Sequence, residues 1–499
     1  MADIAQVTEL LKNYPRLTKA LGWSSVVSVA LGTVTGLLGK ASELKRILFE
    51  LVGPQNLVSI HVGMTFFVGG LFIVGYLSLA LWIYKRYVST LEQRRRYLYS
   101  SFLAICGLLL AAASIFAAIP SVPDVRELLR KESVTLEKEL LELGVEGGGL
   151  RYNRLDHSVQ PQTWLTAQSL TAVLSGRKDP LSDVDAKHIR EHLDFIDRVR
   201  LQSDEGWGYM EQIDWGVTEI AGWVALAYVA SAQPGIVDVV WGRDSTVAYS
   251  RLTRDLRLLQ QRQMKDGSWA PVKQTDNAKF ARTYSTVMAL WALVEASKHP
   301  EIRKRTGITF DDSIKGGIQW LLANYDKGLG GWSPNPGRAR QTDNFSGLTG
   351  HVLYVLSRAM PDFEVMLKMD QSYNDAQHAY LTTMVEGSTF SPSLISRPAG
   401  NNDRTHDSDR YLTGSKFMIE SSTFLWFPWA LSLCAELKQR EPTAEPDRGY
   451  AKRGCAALAG RVNDLIKFAR NDPFAYVMAE SLLAIRLHLA GTGGVRNKR

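Results

Sequence analysis

Several acids, bases and aromatics stand where helices begin. Glu219, Arg282, Tyr284, His351 and Glu420 each lie within a few residues of the start of an apolar helical run, as do Gln162, Trp164, Lys416 and Glu480. Helix starts that share one rim bring such groups to a common cavity, where they bind a polar ligand or exchange protons. The competing reading is that each is paired with a neighbour, Glu219 with Arg282 for example, and only holds the scaffold together. A second set is cationic. Arg251, Arg254 and Arg257, with Arg262 and Lys265, recur along one helical run, and Arg338 and Arg340 sit in the loop before another. Such a face suits a nucleotide or oligonucleotide, and an ordinary solvated helix surface reads the same way. The three cysteines, Cys106, Cys434 and Cys455, show no metal or redox spacing and imply no disulfide framework. Neither a metal nor another cofactor is expected.

The elements that must position these groups are paired helices. Between Leu256 and Leu293 a one-sided run (Leu252, Leu256, Leu259) ends in the turn Asp266-Gly267-Ser268-Trp269. A second run, apolar nearly all round, follows at Val287–Leu293. That pattern is an αα-hairpin with the first helix outside and the second buried. Related turns occur at Gly147–Asn153, Glu205–Met210, Gly328–Asn335 and Glu386–Ser393, each leading to an apolar run. The period is roughly sixty residues. A sixth pair, Tyr450–Ala469 with Phe474–Leu489, lacks the Gly-aromatic turn. Six outer and six inner helices sharing one apolar layer predict an all-α fold, an (α/α)6 toroid over 124–490 with a disordered tail at 491–499.

The turn QMKDGSW, preceded by LLQQR, resembles the QW motif of the squalene–hopene cyclase and prenyltransferase repeat superfamily, and GIQWLLANYDKGLGGW at Gly317–Trp332 is similar. The likeness covers about three-quarters of the chain and is strongest from Ser203 to Leu356. It implies the toroid scaffold, with Gln and the Trp indole tying the end of an outer helix to the turn. The family's chemistry does not follow. Its cyclases use a DxDD acid motif. The nearest strings here are DVDA at Asp183–Ala186, before an outer helix, and DSDR at Asp407–Arg410, in a loop. Its prenyltransferases use Asp, Cys and His on zinc, but His351 heads one inner helix while Cys434 ends another. A pair of carboxylates such as Glu219 and Glu420 would suit a carbohydrate-active toroid.

The N-terminal part differs in kind. Residues 1–56 read as amphipathic or peripheral helices. Residues 57–120 read as a transmembrane hairpin, with spans at 57–84 and 98–119 that carry no charge. Up to Lys131 there are fourteen Lys and Arg against seven Asp and Glu, so the net charge of +7 resides there and the remainder is neutral overall. The basic loop 85–96 and the basic flanks nearly balance under the positive-inside rule. With no cleavable signal peptide evident, both ends are expected in the cytoplasm of a multi-pass inner-membrane protein. Small residues such as Gly63, Gly69, Gly70 and Ala111–Ala113 favour close helix packing and hence a homo-oligomer in the bilayer. The combination resembles in layout the membrane effectors of bacterial anti-phage systems. It predicts a non-catalytic sensor that binds an anionic nucleotide or oligonucleotide and gates an oligomeric pore. The alternative is a membrane-associated enzyme on terpenoid or other prenyl lipids, with aromatic faces stabilising carbocations and a non-standard catalytic acid.

Overall fold

The structure, a computed structural model, describes residues 122–155, 160–177, 180–203, 205–208, 215–273, 281–334, 336, 346–368, 370–386, 425–440, 454–456 and 458–491. The chain divides into two compact units, Met1–Val125 and Arg126–Arg499. The peripheral helices and the hairpin at 57–120 lie outside the described residues, as does the expected tail at 491–499 except for Gly491, which is helical. Glu420, Lys416, Arg338 and Arg340 also lie outside the described residues. Among the described residues no helix is long and apolar enough to cross a membrane.

Among the described residues, twelve long helices alternate from Val122 to Gly491. They are α1 (Val122–Leu141), α2 (Thr163–Leu174), α3 (Asp183–Arg198), α4 (Thr218–Ser231), α5 (Ser245–Arg262) and α6 (Thr283–Ser297). Then come α7 (Asp311–Ala323), α8 (Ser346–Lys368), α9 (Gln371–Glu386), α10 (Trp426–Arg440), α11 (Val462–Asn471) and α12 (Ala475–Gly491). A two-stranded antiparallel ribbon, β1 (Leu150–Arg151) with β2 (Pro161–Gln162), precedes α2. The even-numbered helices pack in order, α2 on α4, α4 on α6, α6 on α8, α8 on α10, α10 on α12, and α12 back on α2. That closed circuit is an (α/α)6 toroid, as the repeat pattern predicts.

Composition explains which helix goes where. All fourteen residues of α4 are buried, so it tolerates apolar side chains on every face. By contrast α3 buries one stripe, Ala186, Ile189, His192, Leu193, Phe195 and Ile196, and leaves the rest to solvent. Ser182 caps it by accepting a hydrogen bond from the Asp185 amide at 3.1 Å.

The Gly-Trp turns are clamps. Trp207, Trp269 and Trp332 donate their indole N–H to the carbonyls of Ile196, Leu259 and Leu321, each at 2.7 Å. Gln263 donates to the Gly267 and Ser313 carbonyls at 2.9 and 2.8 Å, the tie the motif implies. Gly267 has φ +88°, and a Cβ there would stand 2.3 Å from the Gly316 carbonyl oxygen, so only glycine fits. The turns also link successive repeats. Thr218 and Thr283, first in α4 and α6, donate backbone N–H to Pro271 at 2.7 Å and Pro334 at 3.2 Å in the next turn. The same join closes the circle: Ala475, first in α12, donates to Tyr152 in the first turn at 2.9 Å. The sixth repeat lacks its own Gly-aromatic turn, and the first repeat's turn docks on its inner helix.

One expectation is corrected. Cys434, in α10, and Cys455, shortly before α11, are joined in a disulfide, although their spacing suggested no disulfide framework. Proximity across 21 residues depends on the packing of two repeats and leaves no trace in a spacing rule.

Candidate functional site

The inner helices send polar and aromatic groups to the middle of the ring in layers. Glu219, Tyr284 and Trp164 are second residues of α4, α6 and α2, and Tyr476 is second in α12. One turn deeper lie Gln168, Trp223, His351, Trp429 and Glu480, and then Trp291 and Tyr354. All six inner helices contribute.

Burial raises the pKa of both carboxyls. Glu480 is 8% exposed and its pKa is pushed up to about 8 by desolvation. Hydrogen bonds from Gln168, at 3.1 Å, and from the Trp429 indole pull the other way but lose. Glu219 is likewise pushed up by burial, against a hydrogen bond from the Ser285 hydroxyl and the more distant charges of Arg262 and Arg282. The expected Glu219–Arg282 pair is therefore not a direct one; Arg282 donates to the Ala281 carbonyl at 2.7 Å. One oxygen of each carboxyl, Oε2 of Glu219 and Oε2 of Glu480, has no hydrogen-bond partner. Tyr284, whose hydroxyl accepts from the Trp223 indole at 3.3 Å, feels both carboxyls, and burial pushes its pKa up.

His351 is fully buried and stacks on Trp429 with ring centroids 3.6 Å apart, its edge towards Trp291 at 5.3 Å. Neither ring nitrogen has a hydrogen-bond partner, and burial pushes its pKa down to about 3. It is neutral at ordinary pH and can neither carry charge nor act as an efficient base there. Trp291 also meets Trp223, Tyr354 and Trp429 edge-on at 5.3 to 5.7 Å. These contacts join the rings of α4, α6, α8 and α10.

The basic helix is mostly spoken for. Arg251 pairs with Asp194 at 2.8 Å and with Asp197 at 3.2 Å. Arg254 pairs with Asp197 and Asp255, each at 2.9 Å. These ties bolt α5 to α3, so the exposed cations of this run are Arg257 and Lys265 rather than Arg251 and Arg254. Asp255 has no exposed surface, and burial raises its pKa to about 7.

Two further ionic clusters join residues far apart in the chain, and no spacing rule would find them. Glu137 of α1 accepts from both Arg177 and Arg486, with all three side chains at least 90% buried. Arg358 of α8 grips Glu295 with two N–H groups at 2.7 Å and Glu436 at 2.9 Å. Burial pushes the Glu295 pKa up, but Arg358 and Lys298 pull harder and hold it at about 2. Arg358 and Glu436, with Ser297, Lys298, Arg303 and Asp362, line a pocket of about 600 Å3 by the C-terminal ends of α6 and α10, at the other end of the inner helices from Glu219. Among the described residues no group of His, Cys, Asp and Glu could hold a metal ion, and Cys434, once weighed as a zinc ligand, has its sulfur in the disulfide.

No family model matches the chain, and no curated protein sequence does. Solved structures do. A type II terpene cyclase from Scytonema, in complex with geranylgeranyl dihydroxybenzoate, is 13% identical over 74% of this chain and 99% of its own, with a TM-score of 0.43. An α-1,6-mannanase from Salegentibacter, in complex with α-1,6-mannotriose, is 8% identical over 73% and 99%, with a TM-score of 0.45. A glycoside hydrolase family 76 mannosidase from Bacteroides thetaiotaomicron is 10% identical over 73% and 98%, also at 0.45. These neighbours are α/α toroids. Likeness at this level carries no activity to this chain, and the fold assignment above rests on the closed circuit of its own helices.

Proposed function

We propose that this chain is a membrane-tethered, non-catalytic ligand sensor, a toroid whose occupancy biases a transmembrane hairpin at 57–120 that assembles into an oligomeric pore, as anti-phage membrane effectors do. The observation that carries the reading is the fastening of α1. This helix continues directly from the hairpin sequence, and its Glu137 is locked by Arg486 of α12 and by Arg177, which follows α2. Arg126 adds a hydrogen bond to the Leu489 carbonyl at 3.5 Å. A ligand that spreads or tightens the join between α12 and α2 therefore acts on the helix leading to the hairpin. The anionic ligand first expected finds fewer free cations than the sequence suggested, since Arg251 and Arg254 are neutralised. Dye uptake in bacteria expressing the full chain tests this. Uptake that vanishes on deleting 57–119 is expected; uptake independent of the hairpin, or none under any condition, rejects it.

A second reading rests on Glu480. A buried carboxyl beside the Trp429 indole sets a proton donor next to an aromatic face that would stabilise a carbocation, as an enzyme on a prenyl lipid would need. Turnover of a polyprene by purified protein, abolished by Glu480→Gln, would favour it over the sensor.

A further inference from the structure

The disulfide bears on where this toroid works. Cys434 is 5% exposed and its Cα lies 5.4 Å from that of Cys455, within the span a disulfide bridges without backbone movement. The bond pins the middle of α10 to the segment leading into α11, across a sequence separation of 21. Such bonds persist in periplasmic, secreted and surface-exposed domains and are rare where glutathione and thioredoxin keep thiols reduced. A ring this large does not depend on a cross-link for its core, so a bond here reports the compartment more than a need for stability.

Charge supplies the second line. The short loop 85–96 packs Lys85, Arg86, Arg94, Arg95 and Arg96 into twelve residues. Against it stand Lys40, Lys45 and Arg46 before the hairpin and Arg126, Arg130 and Lys131 after it. Counting charges leaves the two orientations balanced, and the disulfide breaks the tie.

We infer that the toroid folds and works on the oxidising, extracytoplasmic side of the membrane, with Cys434–Cys455 as its native cross-link and loop 85–96 in the cytoplasm. This reverses the cytoplasmic placement expected from the lack of a cleavable signal peptide. The sidedness rests on the tethered reading; the cross-link does not. The ligand class changes with it. An extracytoplasmic toroid whose centre is lined by the buried side chains of Glu219, His351, Glu480 and Trp429, with no arginine or lysine among them, is suited to an uncharged or lipid-like molecule, not to an intracellular nucleotide.

The full chain, expressed in a bacterium with an ordinary reducing cytoplasm and acid-quenched from cells, is denatured and treated with a maleimide-polyethylene glycol. One reactive thiol, Cys106, is expected without reductant and three with it. Three before reduction overturn the cross-link. Alkaline phosphatase fused after residue 491 is expected to be active; an inactive fusion on a chain that retains the bond overturns the sidedness alone. None of these readouts requires a pore, so failure of the sensor reading leaves them interpretable.

Discussion

Arg486, in the last inner helix, and Glu137, in the first outer helix, stand 349 positions apart in the chain and meet as a buried ion pair at the seam of the ring. Arg177 approaches the same carboxylate from the end of α2, and Arg486 also donates to the Ala172 carbonyl at 3.1 Å. Three helices from the first and last repeats are thus tied by one carboxylate.

Removing the shared carboxylate leaves two buried cations uncompensated, which costs about 3–5 kcal/mol. Glu137→Gln is therefore expected to destabilise the toroid by that amount in urea unfolding. Arg486→Met should cost less, because Arg177 still pairs with Glu137. A single Glu137→Gln within error of wild type would mean that the carboxylate does not hold the seam.

The turn clamps predict a graded loss. Trp269→Phe keeps the ring but removes the donor to the Leu259 carbonyl, and should cost about 1–3 kcal/mol. Gly267→Ala forces a side chain into the Gly316 carbonyl and should cost at least as much. Thermal unfolding of the two variants checks both, and a neutral Gly267→Ala would show that the turn relaxes.

These clamps were legible because they are local: Gln263, Gly267 and Trp269 lie within one turn, and the one-sided α5 before the all-round α6 fixes inside and outside. The same logic put Glu219, Tyr284, His351 and Glu480 near helix starts, and they lie in the first two turns of α4, α6, α8 and α12. It misjudged the arginines of α5. Their spacing marks a face, but Asp194 and Asp197, which neutralise Arg251 and Arg254, belong to α3 and enter only when two repeats pack. Glu137, Arg177 and Arg486 stayed invisible for the same reason, as did the partner of Cys434.

That misjudgement can be tested residue by residue. Arg254→Glu sets a new carboxylate beside Asp197 and Asp255, and should destabilise the protein by about 3 kcal/mol. Arg257→Glu, at an exposed position, should change stability by less than about 0.5 kcal/mol. Tm measured for each separates them. Loss of response to an anionic ligand in Arg257→Glu, with Tm intact, would restore this face as a binding site; the same loss in Arg254→Glu alone would report unfolding.

The centre predicts opposing pH dependences. Glu480 has a folded pKa of about 8, above the ordinary carboxylate value, so between the two the folded state holds the proton more often than the unfolded chain does. Its contribution to stability is complete below the ordinary value and is lost as pH rises towards 8. His351, pushed down to about 3, behaves oppositely: its folded form binds fewer protons, and stability is lost as pH falls from about 6.5 towards 3. Urea unfolding between pH 4 and 8.5 should therefore give a Glu480→Gln curve that gains on wild type above pH 5. A His351→Phe curve should gain on wild type below pH 6.5. Parallel curves for Glu480→Gln and wild type would show that this carboxyl is ionised in the folded ring. The centre would then be a charged site, and the preference for an uncharged ligand would fall with it.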